Sequence, residues 1–79
     1  MNDQRPNRLV NVRNLLHEPI RILNGKHAGR NGMVLRFAPS INYRKPFQVL
    51  VIGADRRYGK STLPTHTQLA LDDFENLNV

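Results

Sequence analysis

In Ile20-Arg21-Ile22-Leu23-Asn24-Gly25-Lys26-His27-Ala28-Gly29-Arg30-Asn31-Gly32-Met33-Val34 a short alternating strand runs into three glycines and emerges as a second strand. Ile20 and Ile22 flank Arg21 with the period of two that marks a half-buried strand. Asn24-Gly25 opens a turn. Gly29 and Gly32 lead into Met33-Val34-Leu35-Arg36-Phe37, which Pro39 ends. A tight loop needs positive φ, which glycine tolerates, and a missing side chain lets another backbone come close. The stretch is predicted to be a β-hairpin.

Outward from the hairpin, the strand signal recurs. Phe47–Ile52 is an apolar, β-branched run between Pro46 and Gly53, interrupted only by Gln48. Apolar on both faces, it is predicted to be central and covered on both sides. Ser61–Leu63 is predicted as a short fourth strand, and Gln68-Leu69-Ala70-Leu71 as the last. Upstream, Leu9, Val12, Leu15 and Leu16 recur at steps of three and four behind Asn7, a suitable N-cap. This favours a short amphipathic helix over Arg8–Leu16, although Val10 and Val12 also alternate as a strand would. Pro19 closes the segment either way. The expected organisation is an arm and short amphipathic segment over residues 1–18, a barrel over 19–72 and an acidic tail over 73–79. In that tail Phe74 and Leu77 would tuck back. Turn signals between short strands predict a mainly β chain, a small bent barrel of about five strands.

The hairpin resembles the KOW motif: a strand, Gly, a basic residue, a small residue and Gly, then a basic residue, Gly and a Val-rich strand. Gly25, Gly29 and Gly32 fall at that motif's glycine positions, and Lys26 and Arg30 at its basic ones. The resemblance covers Pro19 to about Ile52 and then the expected order of strands. It implies a five-stranded SH3-like barrel with a short N-terminal helix or extension. It also implies binding to RNA, or to the transcription or translation machinery, as in ribosomal proteins of the large subunit and NusG-type elongation factors.

Composition narrows the function classes. With 79 residues the chain makes one domain, too small to enclose a deep pocket. No cysteine is present, so neither a disulfide nor a thiolate site exists. No apolar run approaches the roughly 20 residues that span a bilayer, and residues 1–6 lack a signal peptide's apolar stretch. A cytoplasmic location with no membrane partner is expected. Twelve Lys and Arg oppose six Asp and Glu, for a net charge of +6. All the basic residues lie between Arg5 and Lys60. Asp72, Asp73 and Glu75 close the chain without a basic neighbour. Such a basic body attracts polyanions, chiefly nucleic acid.

In an antiparallel meander alternate loops share an end. The first loop, with Lys26, His27 and Arg30, should therefore sit beside the third, with Arg56, Arg57, Tyr58 and Lys60. Tyr43, Arg44 and Lys45 belong to the other end, and Arg21 and Arg36 face solvent on strands. Lys26, His27, Arg30, Arg36, Tyr43, Arg44, Lys45, Arg56, Arg57, Tyr58 and Lys60 are the candidate nucleic-acid contacts, cations for phosphates and tyrosines for bases. The alternative is a protein-interaction module or accessory subunit that docks an acidic partner on the same basic face.

Ala54-Asp55-Arg56-Arg57-Tyr58-Gly59-Lys60-Ser61 nearly spells a P-loop. Ala54 replaces its first glycine, however, and Thr62-Leu63-Pro64 follows where a helix should start. It reads as a basic β-turn. His17, His27 and His66 stand far apart without metal-ligand spacing, and no serine or threonine has a base nearby. Neither catalysis, nor a metal, nor a cofactor is expected.

Overall fold

The computed structural model describes residues 14–78. The arm at residues 1–7 and most of the segment read as a helix lie outside the described residues. Within that segment Asn14 and Leu15 are helical, and Leu15 is buried.

The chain is mainly β. Among the described residues five strands, β1 (Pro19–Ile22), β2 (Asn31–Phe37), β3 (Phe47–Tyr58), β4 (Ser61–Leu69) and β5 (Phe74–Asn76), form one sheet ordered β4-β3-β2-β1-β5. Every pairing is antiparallel. β1 to β4 make a meander, and a 3-10 turn at Leu71–Asp73 carries the chain back so that β5 pairs with β1. This architecture fits a five-stranded SH3-like barrel, with β4 and β5 at the sheet's two edges.

Period-two alternation builds the core. Ile20 and Ile22 of β1, Val34 of β2, and Phe47, Val49 and Val51 of β3 point inward, joined by Leu69, Phe74 and Leu15. Burying each such aliphatic or aromatic side chain contributes about 1.5–3 kcal/mol. Phe47 is the hub. Its ring centroid lies 4.9 Å from Phe37 and 5.3 Å from Phe74, the latter edge-on. Gly32 explains why β2 and β3 pack so closely. A Cβ there would stand 2.7 Å from both the Leu50 carbonyl oxygen and Val49 Cγ1.

Several elements differ from the sequence reading. The two strands expected at Ser61–Leu63 and Gln68–Leu71 are one continuous β4, Ser61–Leu69. The last strand lies beyond them: Phe74–Asn76, read as part of an acidic tail, pairs Phe74 with Ile22 and Glu75 with Arg21. The stretch read as a basic β-turn is mostly strand, because β3 runs on to Tyr58 and only Gly59 and Lys60 turn. Nor is β3 covered on both faces. Gln48 and Leu50 are half-buried, and Ile52 is exposed.

Candidate functional site

The site arises where the β1–β2 loop meets an irregularity in β3. The loop folds back on itself through short backbone bonds. Ala28 N–H donates to Gly25 O at 3.2 Å, Arg30 N–H to His27 O at 3.1 Å, and Gly29 N–H to Ile22 O at 2.8 Å. Gly25 and Gly29 have φ of +90° and +89°, the left-handed region that a side chain disfavours. This compact fold leaves Lys26 exposed and His27 half-buried.

In β3 the register slips. Val51 pairs with Thr65, but the next pair is Arg56 with Leu63. Ile52, Gly53, Ala54 and Asp55 therefore bulge opposite a single residue, Pro64. Proline has no N–H to give a ladder and is tolerated at bulges and edges. Two side chains hold the bulge. Arg30 Nη1 donates to Gly53 O at 3.0 Å, and the Thr65 hydroxyl donates to Ala54 O. Beyond it the two strands continue as a ribbon, in which no residue from Ile52 to Pro64 is buried.

Between loop and bulge lies an open cleft of about 520 Å³. Lys26 and His27 line it from the loop, Ala54 and Arg56 from β3, and Pro64, Thr65 and His66 from β4. Among the described residues no carboxylate lines it; Asp55 sits beside Ala54 in the bulge but outside the cleft wall. The arrangement is a concave cationic surface suited to holding an anionic group.

The first loop thus meets the bulge of β3, not the third loop: Lys26 and His27 share the cleft with Arg56, which lies on β3, while the third loop is only Gly59 and Lys60 at the ribbon's far end. Arg30 joins them indirectly, with one nitrogen bound to the Gly53 carbonyl. Tyr58 and Lys60 sit further along the same ribbon. Arg57 alternates with Arg56 and so occupies the ribbon's opposite face. Arg36 is exposed on β2, paired with Gln48. Tyr43, Arg44 and Lys45 lie on the loop between β2 and β3 and do not line the cleft. Lys45 Nζ stands 3.6 Å from Asp73 Oδ2. That carboxylate also accepts from Ala70 N–H at 2.9 Å and from the Asn24 side-chain amide at 3.2 Å. These bonds, the Ala70 one foremost, hold the Asp73 carboxyl below its usual range against the opposing effect of partial burial.

His66 and Thr65 are site residues that the sequence reading missed. They belong to the middle of β4, where the sequence predicts a gap between two short strands. His66 shares the cleft with His27, although the two are distant in sequence. Among the described residues no three metal-ligating side chains converge, and no helix is long and apolar enough to cross a membrane.

The chain matches no family model, no curated protein and no solved structure.

Proposed function

We propose that this chain is a nucleic-acid-binding module of KOW type, acting on RNA in transcription, translation or their control, by binding and not by catalysis. The observation that carries it is the convergence of Lys26, His27, Arg56 and His66 on one cleft with no lining carboxylate among the described residues. Arg57 and Lys60 extend the positive field along the ribbon. Cations gathered this way neutralise backbone phosphates and release their counterions, so affinity falls as salt rises. The KOW resemblance gains support from the glycines, since Gly25 and Gly29 adopt positive φ and Gly32 admits a close strand.

The test is titration of structured RNA, single-stranded RNA and duplex DNA across a salt series. Binding that weakens with salt is expected. Affinity no better than that of an unfolded peptide of equal charge, for all three, would sink the proposal.

A second reading draws on the β2–β3 loop. Ile41 and Tyr43 are 62% and 86% exposed there, beside Arg44. The loop is nonetheless ordered by bonds from Ala38 N–H to Pro46 O at 2.7 Å and from Lys45 N–H to Asn42 Oδ1 at 3.0 Å. Exposed apolar and aromatic side chains on a braced loop suit a protein partner with an acidic rim. A partner retained from nuclease-treated extract, and lost with Ile41→Ala plus Tyr43→Ala, would favour this reading.

A further inference from the structure

Taking the cleft as a nucleic-acid site, on which this inference rests, we infer that its ligand is a single strand, one phosphate seated in the cleft and a neighbouring base stacked on Tyr58.

The ribbon's geometry carries this. Arg56 and Tyr58 are two residues apart on β3, so they share a face, about 7 Å apart along the strand. Arg56 lines the cleft. The same face therefore leads from the cleft to the phenol ring, a step comparable to that between a backbone phosphate and an adjacent base in an extended chain. The ring is free to accept a base. Tyr58 is 75% exposed, its cross-strand partner is Ser61, and neither aromatic pair among the described residues includes it. A small hydroxyl residue opposite leaves the ring's flank uncovered.

The ribbon is also unusual energetically. A two-stranded ribbon with no buried residue gains little from the hydrophobic effect and is marginal alone. Here two side-chain bonds, from Arg30 and Thr65, fix it at the bulge. A structure that orders an exposed tyrosine beside a cationic cleft presents a stacking platform. Stacking on an aromatic side chain requires a base drawn out of a duplex or never in one. A duplex backbone laid in the cleft would meet the cations and leave Tyr58 idle.

The chain has two tyrosines and no tryptophan, so tyrosine emission reads this contact directly. Tyr43→Phe leaves Tyr58 as the sole emitter. The full-length Tyr43→Phe protein is titrated with a mixed-sequence oligoribonucleotide of about 12 nucleotides, an abasic strand of equal length and a duplex. Strong quenching by the first, little by the others, is expected. Tyr58→Ala should weaken binding of the first about 5- to 150-fold and leave the salt slope unchanged, with Tyr58→Phe restoring most of the loss. Salt-sensitive binding without quenching, or with Tyr58→Ala equal to the parent, would overturn the stacking inference and leave the nucleic-acid reading standing. Duplex binding as tight as that of the single strand, with equal quenching, would also overturn it. Absence of salt-sensitive binding to any of the three would remove the underlying reading instead.

Discussion

At the scale of single residues, two positions do more than their chemistry suggests. Gly32 is the point where β2 and β3 touch, and a methyl there meets backbone as well as side chain. Gly32→Ala is expected to destabilise the fold by about 1–3 kcal/mol, as overpacking in a tight core does. A chemical-denaturation midpoint that stays put would contradict that contact. Asp73 is the second. Its carboxylate gathers Ala70, Asn24 and Lys45, tying the turn before β5 to both the first and second loops. Because its folded pKa is lowered, its share of stability is complete above the unfolded value and is lost as pH falls through the folded one. Stability should therefore hold down to about pH 4 and then decline. Asp73→Asn keeps an acceptor of the same shape and should remove this share of the decline, read from denaturation midpoints between about pH 7 and pH 3.

At the scale of elements, the strands differ in how much of their cause is local. β1, β2 and the first half of β3 were legible because their signals, alternation in β1 and apolar runs bounded by glycine and proline in β2 and β3, act within a few residues. β4 was not. Ser-Thr-Leu-Pro-Thr-His-Thr-Gln-Leu is largely polar, and Pro64 argues against a strand, yet it pairs with β3 because the bulge opposite Pro64 asks nothing of it. β5 is three residues long, too short to show a period, and exists because Phe74 pairs with Ile22 and packs on Phe47. The same non-local pairing hid Thr65 and His66 from the cleft, whereas Lys26, His27 and Arg56 were named from charge, although Arg56 lies on β3 and not in the third loop that meander order gave it. The bulge bonds have their own test. Arg30→Ala and Thr65→Val each leave a bulge carbonyl unpaired, with an expected loss of about 1 kcal/mol. Amide hydrogen exchange should speed up over residues 56–63 more than in β1 or β2. Uniform change across the sheet would mean that the ribbon and barrel are one cooperative unit.

At the scale of the whole molecule, a core of nine residues among those described supports a ribbon that adds little to it, and the two meet at a cationic cleft. The β2–β3 loop, with Tyr43 and Arg44, is anchored by the opposite end of β3 from the bulge. Seven residues separate Phe47 from Ala54, roughly 20 Å of strand, so the two surfaces can be occupied together. Each phosphate neutralised contributes a salt slope of about −0.7 on a single strand. Lys26, Arg30, Arg56 and Lys60 together would give about −2.8. The decisive measurement is that slope for single-stranded RNA, in the native chain and in Lys26→Gln with Arg56→Gln. A slope near −2.8 that becomes shallower by about 1.4 in the double variant is the expected result. An equal slope in both proteins, or none in either, would contradict a cleft that binds nucleic acid.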